Sequence, residues 1–157
     1  MLATSPSSQG GPTYKPAPKE LIGTRDYYIW RDANAPPEIR GDNYYLNYGL
    51  RKFDDFQALR EGASPELQAF IDRASVELQR SLERALQLNP AIELRRSDLL
   101  GAAFDTHSDA YARAGFRNLS LADQFRVGRT VGVGDFFGAG VRSGFREAWQ
   151  VYTAPAP

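Results

Sequence analysis

One segment constrains this chain more than any other. Ser64-Pro65-Glu66 opens it and Asn89-Pro90 closes it. A serine hydroxyl can accept an orphan backbone N–H at a helix start. Proline at the first helical position gives up a donor that had no partner there, and an acid in the first turn meets the positive end of the dipole. Between these marks Leu67, Ile71, Ala74, Leu78, Leu82 and Ala85 recur at helical spacing. Start, stripe and stop agree, and predict one helix of about 24 residues over 64–88. A helix that long spans about 36 Å, so the remaining elements must pack around it.

Those elements read as helical too. Asp42 or Asn43 can cap a helix that carries Tyr45, Gly49, Phe53 and Phe56 at helical spacing, flanked by Leu46 and Leu50. Ser97 caps a shorter helix through Leu99, Leu100 and Phe104. Asp105 or Thr106 caps the next, which Gly115 ends. Ser120 caps another through Leu121, Phe125 and Val127, and Val141, Phe145, Ala148, Trp149 and Tyr152 indicate a last one. Tyr27-Tyr28-Ile29-Trp30 is short and aromatic, and reads as a strand or an extended segment on the core. Adjacent Pro36 and Pro37 forbid helix interior there. No alternating strand pairs and no internal repeat occur. The expected fold is all-α, a compact single-domain bundle of about five or six helices around the long central one.

The ends differ from the middle. Residues 1–19 are rich in Ser, Pro, Gly and Thr and read as a disordered N-terminal leader or linker. Residues 20–152 form the helical domain, and 153–157 a flexible tail. Residues 1–20 hold no apolar core of signal-peptide length, and no stretch approaches a membrane span.

Composition narrows the function classes. The charges cancel, 19 basic against 19 acidic. Nucleic-acid binders draw affinity from phosphate contacts and carry a basic excess, so no nucleic acid is expected as partner. No cysteine is present, which removes disulfides, thiol catalysis and thiolate metal sites. One histidine, with no second ligand at helical spacing, gives no expected metal site, and no cofactor motif appears. Gly132-Val133-Gly134-Asp135-Phe136-Phe137-Gly138 lacks the preceding strand of a dinucleotide loop, and Asp135 would repel phosphate.

Two dense segments remain. Asp42-Asn43-Tyr44-Tyr45-Leu46-Asn47-Tyr48-Gly49 holds three of the eight tyrosines, and Asp105-Thr106-His107-Ser108-Asp109-Ala110-Tyr111 the only histidine. Histidine titrates near neutrality and serves as acid, base or ligand, so His107 and its neighbour Asp109 are candidate catalytic residues. The competing reading is a capping box in which Thr106 and Asp109 satisfy backbone donors. Tyr44 and Tyr48 lie one turn apart and, with Asp42, form a candidate substrate-binding face that stacks on a sugar or docks on a partner. The competing reading packs these rings under the aromatic N-terminal segment. Glu38, in the loop beside them, is the candidate second acid for glycoside hydrolysis, though carboxylate pairs are common by chance. Gly49 inside a helix costs about 1 kcal/mol against alanine and points to close packing of another backbone.

Tyr44-Tyr45-Leu46-Asn47-Tyr48-Gly49-Leu50-Arg51-Lys52-Phe53, then a long helix, then Thr106-His107-Ser108-Asp109-Ala110-Tyr111 with Gly115 and Asp123 downstream, resembles small helical domains that end bacterial polymorphic toxins and type VI secretion effectors. The resemblance covers residues 38–130. It implies a secreted toxin acting on a cell-wall (peptidoglycan) substrate, an immunity or carrier protein as partner, and export by a dedicated secretion system without a cleaved signal peptide. No catalytic motif maps residue by residue, so it assigns no catalytic role. The alternative is a non-enzymatic helical interaction module, such as a cargo, adaptor or structural protein.

Overall fold

The computed structural model describes residues 11–132. The expected helix over 141–152, the tail 153–157 and the glycine segment from Val133 onward lie outside them. Six α-helices occur in the described part: α1 (Asp26–Asn34), α2 (Arg51–Arg60), α3 (Pro65–Leu88), α4 (Arg96–Asp105), α5 (His107–Ala114) and α6 (Leu121–Val131). A π-helical segment, Tyr45–Leu50, runs directly into α2. Short 3-10 turns at Lys19–Leu21, Pro90–Leu94 and Phe116–Asn118 join the rest. No strand occurs among the described residues. The fold is an all-α bundle built around α3.

The caps explain where α3 and α6 begin. Ser64 Oγ accepts from the Leu67 N–H at 3.2 Å, with Pro65 at the first helical position. Ser120 Oγ does the same for the Asp123 N–H at 3.1 Å. Gly115 ends α5 with φ +92°, a left-handed conformation that L side chains rarely adopt. Leu67, Phe70, Ile71, Ala74, Leu82 and Leu86 form the buried stripe of α3. They meet α2, α4 and α5 and the turn Pro90–Leu94. Leu78 is only half-buried, at the edge of that stripe.

Three local expectations are corrected. Tyr27-Tyr28-Ile29-Trp30 is helical, inside α1, with Tyr27, Tyr28 and Arg31 buried. The i, i+4, i+8 run Tyr27, Arg31, Ala35 is the inward face, and its middle member is an arginine that reads as surface. Ser97 does not cap α4; Arg95 holds that position in extended backbone. Thr106 makes no side-chain cap to α5, so no capping box forms; its hydroxyl donates to the Ala103 carbonyl at 2.7 Å. α4 and α5 therefore follow one another with a single residue between them.

Residues 1–10 of the expected leader lie outside the described residues, and the stretch that follows them is not a free linker. From Tyr14 onward the chain is tied down. Tyr14 OH donates to Glu83 Oε2 at 2.7 Å and the Ala17 N–H to the same oxygen at 3.1 Å. Arg31 Nη1 donates to the Lys15 carbonyl at 3.0 Å. Lys15 lies over the Trp30 ring, 5.3 Å from its centroid.

Candidate functional site

The two dense segments meet. Tyr44 immediately precedes the π-helical segment and Tyr48 sits within it. Facing them are Phe104 at the end of α4, and His107 and Tyr111 on α5. Tyr44 OH and His107 Nε2 are 3.1 Å apart. The Tyr48 ring stacks on Tyr44 with centroids 5.7 Å apart and on His107 at 6.0 Å. Phe104 stands edge-on to Tyr48 at 4.9 Å and to His107 at 5.2 Å. Lys52, one turn further on, places its ammonium 5.9 Å from the Tyr48 centroid. Tyr44, Tyr48, His107 and Tyr111, with Tyr28 and Phe53, line a cavity of about 20 Å³, room for about one water.

Glycine makes this approach possible. A Cβ on Gly49 would lie 2.4 Å and 2.6 Å from ring carbons of Tyr28. The close neighbour is an aromatic side chain of α1 and not the backbone expected from the glycine's position. A π-helical turn carries one residue more than an α turn and is a frequent mark of a special local packing.

Burial sets the electrostatics. His107 is 3% exposed, and burial pushes its imidazole down to about 3 from 6.5. Burial likewise pushes the Tyr44 phenol well above its ordinary range. Both partners are therefore neutral at physiological pH, and they share one proton-mediated contact whose direction follows the imidazole tautomer. A group that titrates near 3 is a poor acid or base at neutrality. The near-neutral histidine anticipated from sequence becomes a neutral core ring.

The candidate carboxylates lie elsewhere. Glu38 and Asp42 are exposed in the loop before the π-helical segment. Arg96, the first residue of α4, donates to the carbonyls of both Glu38 (3.2 Å) and Asp42 and pairs with the Asp42 carboxylate at 3.3 Å. That pins them to the start of α4, whereas His107 follows its end, roughly 15 Å along the helix. Asp109 is exposed on α5. Tyr44, the first of the anticipated stacking pair, is buried at 6% with its face against Tyr48; Tyr48 is half-buried. The structure thus joins His107, Tyr44 and Tyr48, and leaves Glu38, Asp42 and Asp109 outside the cluster. Among the described residues no group of three or more His, Asp or Glu is placed to hold a metal.

A second cluster escaped the sequence. Glu83 on α3 accepts from Arg31 Nε at 2.7 Å and also from its Nη2, from Tyr27 OH at 2.8 Å, from Tyr14 OH, and from the Ala17 N–H. Arg31 is 2% exposed. Burial raises the Glu83 carboxyl, but the bonds from Arg31 and Tyr14 outweigh it and hold the group below the usual carboxylate range. Burial and the Glu83 carboxylate push the Tyr14 phenol up to about 12. Tyr45 OH donates to Glu93, whose carboxylate lies 3.9 Å from Arg31 Nη1. Gln79, one turn before Glu83, accepts from the Gly23 N–H at 2.6 Å and donates to the Thr24 carbonyl at 2.9 Å. The pair Gln79 and Glu83, one turn apart beside an apolar stripe, is the signal in the sequence. With every acceptor occupied, this knot fastens the chain start to α1 and α3.

The third feature is at the surface. Leu121 and Phe125 on α6 are 79% and 72% exposed, one turn apart. The other side of the same helix buries Asp123, Val127, Gly128 and Val131. Among the described residues no helix is long and apolar enough to cross a membrane. Compared with known proteins, the chain matches no family model, no curated protein and no solved structure.

Proposed function

We propose that this domain is a non-enzymatic helical interaction module, with α6 as its docking face. The observation that carries this reading is the exposed pair Leu121 and Phe125 on one face of a helix whose opposite face is core. Burying such side chains is worth about 1.5–3 kcal/mol each, which the isolated fold forgoes. Single exposed apolar residues are ordinary, but two on adjacent turns form a patch. The hydrolytic reading needs an acid and a base around one substrate position. Here the imidazole is neutral and packed against rings, Glu38 and Asp42 stand at the far end of α4, and Asp109 is exposed on α5.

The test separates the two readings. The full chain is produced in the cytoplasm and, separately, in the periplasm of a bacterial host, and the purified chain is incubated with peptidoglycan. Normal growth and no released muropeptides are expected. In parallel, a photo-crosslinking amino acid at position 125 should give an adduct, to lipid or to protein, that Leu121→Glu removes, whereas position 88 gives none. Muropeptide release by the wild type that His107→Ala abolishes, at unchanged melting temperature, would refute the module and establish the hydrolase.

A further inference from the structure

We infer that the surface met by the α6 face is an anionic lipid membrane, gripped by Leu121 and Phe125 and held by Arg126 and Arg129. The inference rests on reading α6 as a docking face. At 100° per residue, Leu121, Ala122, Phe125, Arg126 and Arg129 fall on one half of the helix, and all five are exposed. Asp123, Val127, Gly128 and Val131 fall on the other half and are buried. The outer half is therefore apolar along one edge and basic along the next. That is the pattern of a helix that lies in a membrane interface with its apolar residues about 5–10 Å deep.

The charges sharpen the choice of partner. The only acid of α6 is Asp123. It turns inward, with its side chain 11% exposed and Oδ2 accepting from the Ser64 hydroxyl at 3.3 Å. Arg126 reaches back to Asp123 Oδ1 at 3.4 Å, yet its side chain stays 56% exposed. No carboxylate of α6 thus opposes an anionic surface on the outer half. The chain as a whole carries no net charge, so attraction must be local and short-ranged. Shape points the same way. At 79% and 72% exposure the two side chains project as a ridge rather than line a recess. A ridge suits a soft acyl boundary, whereas a folded protein partner would have to supply a matching pocket.

The experiment uses the full chain and large unilamellar vesicles of phosphatidylcholine alone or mixed equally with phosphatidylglycerol, read by co-sedimentation. Binding to the anionic vesicles is expected, with little to the neutral ones, and loss at about 0.5 M salt. Leu121→Glu with Phe125→Glu should abolish it, and Phe125→Ala should weaken it about tenfold or more. Arg126→Gln and Arg129→Gln should each weaken it about fivefold, the effect of one basic residue near an anionic surface. Leu88→Glu, at an exposed position on α3, should leave it unchanged, and circular dichroism melts of all variants should match the wild type. Failure to bind anionic vesicles, or binding indifferent to Leu121→Glu with Phe125→Glu, overturns the inference. If the crosslinker at 125 then captures one protein in a Leu121-dependent way, the lipid assignment falls and the docking reading stands. If it captures none, both fall.

Discussion

His107 offers the most quantitative test of the fold, through acid. Its imidazole is buried against four aromatic rings and titrates at about 3 in the native state, against 6.5 in the open chain. Between those values the unfolded chain binds a proton that the folded one refuses. Stability from this group is therefore complete above about pH 6.5 and is lost as pH falls towards 3. The loss amounts to about 1.4 kcal/mol per pH unit, or roughly 2–3 kcal/mol between pH 6.5 and 4.5. For a domain of ordinary stability, about 5–15 kcal/mol, that is a large fraction. His107→Phe keeps a ring in the site and removes the proton acceptor. It leaves the buried Tyr44 hydroxyl without this partner, at a cost of about 1–3 kcal/mol at neutral pH. The two stability curves should therefore converge on acidification and meet or cross near pH 5. Urea unfolding at half-unit steps from pH 7.5 to 4.5 measures both curves. The lowered carboxyl of Glu83 adds acid sensitivity of the same sign below its ordinary range, but it is common to both proteins and cancels in the difference. Parallel curves over this window would show that His107 is not held neutral, and the buried aromatic site as described would be wrong.

Three further outcomes follow from the packing. Gly49→Ala should destabilise by about 1–3 kcal/mol in thermal melts, since the added methyl meets the Tyr28 ring at 2.4 Å. Glu83→Gln leaves Arg31 buried without its carboxylate and should cost about 3–5 kcal/mol; limited proteolysis should then cut within residues 11–18, which resist it in the wild type. Leu82→Ala, at 2% exposure, should lose about 2–5 kcal/mol of unfolding free energy, and the half-buried Leu78→Ala distinctly less.

The central helix was legible because three independent signals coincide. Ser64, Pro65 and Asn89 act within one or two residues of themselves, and the stripe between them is a property of period alone. The same holds for Gly115 and Ser120, whose roles are local. What escaped reading was every position where a distant partner overrides a local habit. Arg31 looks like surface until Glu83 neutralises it, and without Arg31 on the inward face α1 shows no period. Tyr14 looks like linker until the same carboxylate holds it. His107, Tyr44 and Tyr48 stood out in the sequence as candidates, but the chemistry of their meeting did not. Burial depends on what α4 and α5 bring against the ring, and no residue near His107 in sequence reports that.

This molecule keeps one set of groups inside and turns another outward. The side chains of Arg31, Glu83 and Tyr27 close on one another, and Gln79 closes on the backbone of Gly23 and Thr24. Its histidine is discharged by burial, within a cavity that admits little more than one water. Among the described residues, the large apolar side chains outward on adjacent turns are Leu121 and Phe125, beside Arg126 and Arg129. One half of α6 buries Val127 and Val131, and the other half presents large apolar side chains to water, which contact with another surface would remove from it.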